Sequence, residues 1–406
     1  MLNNQQRVLI LTADAGFGHR SAANALKSAL EENMGVDVYV EIVNPLDQKQ
    51  APFYLRDSQA GYDRWVREVP ELYRFGYEVS DALVPITILE SILIVGLYDV
   101  IKDILIDFQP DIVISTYPLY LAPLEAVLTI RKTDIPIITV VTDLATVHSV
   151  WFNRAVHTCI VPNETVQDLA LRSGLVEKQI LVAGIPVHPQ IEHITESKAE
   201  IRQELGWQLN RLTILVVGSK RVEHFMESVF ALNHAGFEIQ LVMVSGKDRD
   251  LYNELMKEEW HVPAFCYEFV DQMPKFLKAA DLIISKAGGL IVTESLASGL
   301  PLLLIDVIPG QETGNALFVE ENQAGFIVNN GLEILEKVCH LFQNDAILLN
   351  EYQKNAEAIG KPNAAAQIAE YIKEQVSGNK ENMKRIQTRP QKIVELLTRH
   401  QVNWEK

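Results

Sequence analysis

The stretch Arg7-Val8-Leu9-Ile10-Leu11-Thr12-Ala13-Asp14-Ala15-Gly16-Phe17-Gly18-His19 opens the reading of this chain. A β-branched apolar run ends in small residues and two glycines, and a helical pattern follows from about Ser21 to Glu32. That order predicts a strand, a tight turn and a helix whose N-terminus faces the turn. Backbone N–H groups and the positive end of the helix dipole gather there, a setting that suits an anion or a polar ligand. The spacing is not the dinucleotide fingerprint: Gly16-Phe17-Gly18-His19-Arg20-Ser21 lacks the third glycine and gives NAD little support. His19 stands where a strand end meets the expected ligand crevice. A catalytic histidine and a capping or packed one fit that position alike.

The same alternation continues outward. Segments 36–44, 111–118, 135–143 and 157–162 read as further strands with helical patterns between them. Near-continuous apolar strands separated by helices indicate a parallel sheet covered on both faces. The pattern breaks at Gly184-Ile185-Pro186-Val187-His188-Pro189, and a second series follows with strands at 211–219, 237–246, 280–289, 300–307 and 325–330. The fold class is therefore α/β, with two Rossmann-like domains facing a central cleft. The expected boundaries are 1–190 for the N-terminal domain, 200–362 for the C-terminal domain and 363–406 for C-terminal helices and a basic tail.

Composition narrows the function. The 406 residues are 48% hydrophobic and 22% charged, with a net charge of −17. So acidic a chain is a poor partner for nucleic acid, which needs clustered Lys and Arg. Cys159, Cys266 and Cys339 lie far apart, which argues against a zinc site or a disulfide framework and fits reduced thiols in the cytoplasm. Residues 83–101 form the longest apolar stretch, but Pro85, Glu90 and Asp99 interrupt it, so no spanning segment is expected.

Three more segments carry polar groups at strand ends. Ser285-Lys286-Ala287-Gly288-Gly289 precedes a helix bearing Thr293 and Glu294, an arrangement able to hold a pyrophosphate with Lys286 nearby. It is not a Walker loop, and a plain strand-to-helix turn also uses glycines. Pro309-Gly310-Gln311-Glu312-Thr313-Gly314-Asn315 gathers carboxamides and a carboxylate that could grip vicinal sugar hydroxyls, or simply cap a helix. In the N-terminal half, Asp143 ends a strand, with His148 and Trp151 shortly after.

These segments, in this order, resemble the monogalactosyldiacylglycerol synthase and processive diacylglycerol glucosyltransferase family, related to the GlcNAc transferase that makes lipid II. The resemblance runs from about Val8 to Ile372 and is strongest in Gly16-Phe17-Gly18-His19, in Thr142 to Phe152, in Ser285 to Glu294 and in Pro309 to Asn315. It implies a GT-B fold with the acceptor on the N-terminal domain and the UDP-sugar mainly on the C-terminal domain. It implies inversion at the anomeric carbon with no obligatory metal or cofactor. His19 becomes the leading base candidate and Asp143 the runner-up. Glu294 binds the ribose on this reading, Gly288 and Gly289 approach the phosphates, and Lys286 neutralises the leaving diphosphate. Gln311, Glu312 and Asn315 contact or support the sugar, while Gly16, Gly18, His148 and Trp151 serve substrate binding. The implied partners are UDP-galactose or UDP-glucose, diacylglycerol and an anionic membrane surface. The implied location is cytoplasmic, peripheral on the inner face of the cell membrane.

One departure stands out. Where the family has a glycine-rich loop after the first strand of the second domain, this chain reads Val217-Gly218-Ser219-Lys220-Arg221-Val222-Glu223-His224, with one glycine. Lys220 or Arg221 could supply charge there. Two segments suit a membrane interface. Residues 53–101 interleave Phe53, Tyr54, Tyr62, Trp65, Tyr73, Phe75 and Tyr77 with Arg56, Arg64, Arg67 and Arg74. The tail 377–406 carries seven Lys/Arg against three Asp/Glu, including Lys384, Arg385, Arg389 and Lys392 before Ile393, Val394, Leu396 and Leu397. Alternative readings are a transferase of the same fold acting on another lipid or small molecule, a sugar-nucleotide epimerase, and a non-catalytic UDP-sugar-binding regulator.

Overall fold

The computed structural model describes residues 5–14, 17–53, 55–56, 83–218, 222, 224–308, 312–377, 390–400 and 402. Gly16, Gln311, Lys220, Arg221, Tyr54, the stretch 57–82 and the tail residues Lys384, Arg385 and Arg389 lie outside them. The chain divides into two compact units, Met1–His188 with Asn363–Lys406, and Pro189–Pro362.

Unit 1 is built on a six-stranded parallel sheet. Its strands are β1 (Gln6–Leu11), β2 (Val38–Val43), β3 (Ile112–Ser115), β4 (Ile137–Val140), β5 (Thr158–Val161) and β6 (Ile180–Val182), in the order β2-β1-β3-β4-β5-β6. Register pairs Val8 with Ile112, Ile114 with Ile138 and Ile138 with Thr158. Because side chains alternate across a strand, Val8 and Ile10 enter one apolar layer and Leu9 and Leu11 the other. The first layer is covered by α1 (Phe17–Met34). The second is covered by α2 (Leu83–Phe108) and α3 (Leu121–Ile130), with α4 (Glu164–Arg172) beside them. The apolar run at 83–101 lies in α2, whose inner face buries Leu93, Leu97, Tyr98 and Ile101. Among the described residues no helix is long and apolar enough to cross a membrane.

Unit 2 repeats the plan. Strands β7 (Leu212–Val217), β8 (Ile239–Val244), β9 (Ala264–Tyr267), β10 (Leu282–Ser285), β11 (Leu302–Leu304) and β12 (Gly325–Ile327) run parallel in the order β12-β11-β10-β7-β8-β9. Helices α5 (Lys198–Leu205), α6 (Phe225–Asn233), α7 (Arg249–Leu255), α8 (Met273–Ala279), α9 (Gly289–Ala297) and α10 (Thr313–Glu321) alternate with them. α11 (Gly331–Ile359), interrupted at Gln343–Ala346, closes the unit.

The chain then returns to unit 1. α12 (Ala364–Ser377) lies on α1, burying Ala365, Ile368, Ala369 and Ile372 in the layer that contains Leu26 and Leu30. The Tyr371 hydroxyl lies 2.6 Å from that of Thr158 on β5. α13 (Pro390–Arg399) packs on α2 and α3 with Leu397 buried and Ile393 and Leu396 against the core. Ile393, Leu396 and Leu397 are therefore taken up by the protein, which corrects their assignment to a membrane surface.

Two strands escape the sequence reading, β6 and β9. Both are edge strands of three and four residues with only partly buried side chains, and their apolar runs are too short to stand out.

Candidate active site

In unit 1 the polar groups collect at the C-terminal ends of β1, β3 and β4, beside the point where strand order reverses and open α/β sheets bind ligands. His19 sits in the first turn of α1. Its carbonyl accepts the Thr116 hydroxyl from the end of β3 at 3.1 Å, and its Nδ1 lies 2.9 Å from Thr142 Oγ1 at the end of β4. Tyr117 meets the imidazole edge-on with ring centroids 5.0 Å apart, and Trp151 lies 6.1 Å away. Burial in this setting holds the imidazole down at about 4, so it is neutral at pH 7.

Asp143 follows Thr142, and burial pushes its carboxyl up to about 6 while the Trp151 indole N–H, donated at 3.1 Å, works in the opposite direction. Trp151 thus touches both base candidates and is buried in the short helical turn Ser149–Trp151. His148 caps that turn, its Nδ1 accepting Val150 N–H at 3.2 Å, and it too is buried. Asn163, which caps α4, donates to Leu144 O at 2.7 Å and fastens the Asp143 loop.

Asp14 accepts two bonds from Arg20 at 2.9 and 3.0 Å. The Arg20 hydrogen bond, acting against partial burial, keeps the Asp14 carboxyl below its usual range. A Cβ on Gly18 would meet nothing within 4 Å, so no packing demand explains that glycine and the space before it is open.

In unit 2 the loop after β10 carries Lys286, Gly288 and the start of α9. Lys286 Nζ donates to Glu312 Oε1 at 2.6 Å, and Glu312 Oε2 accepts Ile308 N–H at 3.3 Å. A Cβ on Gly288 would come within 3.2 Å of Lys286 Nζ and 3.6 Å of Glu312 Oε1, so a side chain there would press on this ion pair. Gly289 is the first residue of α9, whose leading N–H groups have no partner inside the helix. Glu294 lies a turn further on, and burial pushes its carboxyl up to about 7. Asn315 is buried and donates to Ala287 O at 3.0 Å, so it braces the β10 loop from α10. Unit 2 therefore brings together Lys286, Gly288, Glu312 and Asn315, with Glu294 one helical turn beyond.

Sequence reasoning left out Tyr117 and Thr142 as contacts of His19, and Asp306 as a partner of His224. All three belong to segments at the ends of expected strands, and strand-end position is the signal that could have found them.

Comparison with solved structures gives the fold. MurG from Acinetobacter baumannii matches with a TM-score of 0.56 at 16% identity, over 91% of this chain and 99% of that one. S. aureus MnaA, solved with UDP, matches with a TM-score of 0.58 at 13% identity, over 92% and 97%. Residues 213–376 match the model of the glycosyltransferase family 28 C-terminal domain. The fold is GT-B and the class is the UDP-sugar-dependent glycosyltransferases.

Residues 19–187 match the model of monogalactosyldiacylglycerol (MGDG) synthase. The probable chloroplastic MGDG synthase 2 of Oryza sativa subsp. indica is 32% identical over 378 residues, 90% of this chain and 80% of that protein. The chloroplastic MGDG synthase 3 of Arabidopsis thaliana is 32% identical over 381 residues, with the same coverage of 90% and 80%. The chain belongs to the monogalactosyldiacylglycerol synthase family.

Proposed function

We propose that the chain transfers a hexose, galactose by the names of its relatives, from a UDP-sugar to the hydroxyl of 1,2-diacylglycerol. Transfer inverts the anomeric carbon and takes place at an anionic membrane, to which the protein binds peripherally on the cytoplasmic inner face. The observation that carries this reading is the 32% identity to plant galactolipid synthases across 90% of the chain, because it spans the residues of both units.

The chemistry assigns a task to each group. A diacylglycerol hydroxyl is a weak nucleophile, so a base must take its proton as the new bond forms. His19 is neutral and held from behind by Thr142. With the proton on Nδ1 directed at Thr142 Oγ1, Nε2 is the nitrogen that receives the acceptor's proton. The diphosphate leaves with negative charge, which Lys286 and the N–H groups at the start of α9 stabilise. Glu294 takes the ribose hydroxyls, and Gln311, Glu312 and Asn315 hold or brace the sugar. Among the described residues no three His, Cys, Asp or Glu side chains gather as metal ligands.

The test is incubation with vesicles of diacylglycerol in phosphatidylglycerol, with UDP-galactose and UDP-glucose supplied separately, followed by mass spectrometry and NMR of the lipid. A monohexosyl-diacylglycerol with a β-anomeric proton is the expected product. UDP-sugar turnover onto other acceptors only, its epimerisation, or UDP binding with no turnover would each overturn the reading.

A further inference from the structure

The segment after β7 has a single glycine, Gly218. A Cβ on Gly218 would fall 2.7 Å from the Phe225 ring, so this glycine is required by core packing. Its N–H donates to Val244 O at 2.7 Å. The glycine that would let a backbone approach a diphosphate here is therefore engaged with β8 and α6. Among the described residues, the segment offers His224 in its place, immediately before α6. Asp306, just beyond β11, accepts both His224 N–H, at 3.0 Å, and the imidazole Nδ1–H. Its backbone is left-handed at φ 50°, a conformation that Asp tolerates better than most residues.

Strand order gives the pair its meaning. β7 and β11 flank β10, so the link from His224 to Asp306 crosses the C-terminal end of β10, from which Lys286 and Gly288 emerge. β7 and β10 are also the neighbours between which strand order reverses, the position where open α/β sheets bind ligands. The Asp306 carboxylate is largely buried, at 11% side-chain exposure, while the imidazole is 44% exposed. A buried carboxylate on Nδ1 fixes the tautomer and the ring orientation and turns Nε2 away from Asp306.

We propose that His224, aimed by Asp306, is a diphosphate-binding residue of the UDP-sugar site, standing in for the glycine backbone amides that the segment lacks. The inference rests on unit 2 being the UDP-sugar unit. His224 gives a charge-assisted N–H bond to a diphosphate oxygen, on the other side of the β10 loop end from Glu312. Asp306 is a positioning residue and acts only through His224.

Titration of UDP and of uridine into the full chain tests this. His224→Gln should weaken UDP at least about tenfold, the scale of one hydrogen bond to a charged group, and leave uridine within about twofold. Asp306→Asn should weaken UDP in the same direction and add nothing in the double variant. UDP affinity unchanged in a folded His224→Gln protein overturns the proposal, as does an equal loss for uridine and UDP, or additive effects of the two substitutions. If His224→Gln does not fold, ¹⁵N-histidine spectra of the parent decide the matter. UDP but not uridine must shift the Nε2 resonance that Asp306→Asn also perturbs, and no shift overturns the proposal. A parent that binds no UDP would instead bring down the reading of unit 2 itself, whereas failure with diacylglycerol would leave the role of His224 standing.

Discussion

His19 and Asp143 show how burial divides labour between two titratable groups a few ångströms from one indole. Desolvation acts on both and favours the neutral form of each. It holds the imidazole at about 4 and lifts the carboxyl to about 6. The two base assignments therefore predict different pH profiles. With His19 as base, kcat at saturating UDP-sugar holds from pH 8 down to about 5.5 and falls only as His19 protonates. With Asp143 as base, kcat falls below about pH 6, and Asp143→Asn abolishes transfer. We expect the first profile, with His19→Ala losing transfer by about 10²-fold or more while UDP affinity stays unchanged. An acid limb near 6 would move the role to Asp143. Both candidates were legible in the sequence because each follows an apolar run at a strand end. The partners were not: Thr142 meets His19 across 123 residues and Asp306 meets His224 across 82, and no local pattern encodes such pairings.

At the scale of elements, central strands and the glycine-led turns were legible because β-branched runs and Gly-Gly or Gly-x-Gly breaks are local signals. The face each helix covers was not. A fully buried parallel strand is apolar on both sides, so Val8-Leu9-Ile10-Leu11 has no alternation to say which residues meet α1 and which meet α2. α12 settles its own face, since Ile368, Ala369 and Ile372 are completely buried against the α1 layer. Ile368→Ala should therefore cost about 2–5 kcal/mol, read as a lower denaturation midpoint for the transition that reports unit 1. Leu332→Ala, on an exposed position of α11, should stay within about 0.5 kcal/mol of the parent. A change at Ile368 no larger than at Leu332 would mean that α12 contributes little to the stability of unit 1.

For the whole molecule, the net charge of −17 has to be reconciled with a lipid acceptor. Long-range repulsion from an anionic bilayer can be overcome only by local basic and aromatic groups, each basic residue contributing about 1 kcal/mol near the surface. We propose that the segment around Trp65 and the charges at Lys384 and Arg385 supply such groups; Phe53, Ile88 and Ile92, on either side of the first in sequence, are exposed. Sedimentation with anionic vesicles should fall as salt rises, and both Trp65→Ala and a double change of Lys384→Glu with Arg385→Glu should weaken it. Variants that sediment like the parent would move the docking surface elsewhere. Chain order carries a further consequence. Unit 1 begins at the first residue but is closed by helices made after the whole of Pro189–Pro362. At roughly 5–20 residues per second, a ribosome takes about 10–35 seconds to make that intervening stretch. Through this interval the face of α1 that awaits α12 stays uncovered, and at its end the later-born unit has all of its own chain while α12 is still to be made. Synthesis thus finishes the second unit first, and the nascent first unit is the one with an apolar surface for a chaperone to shield.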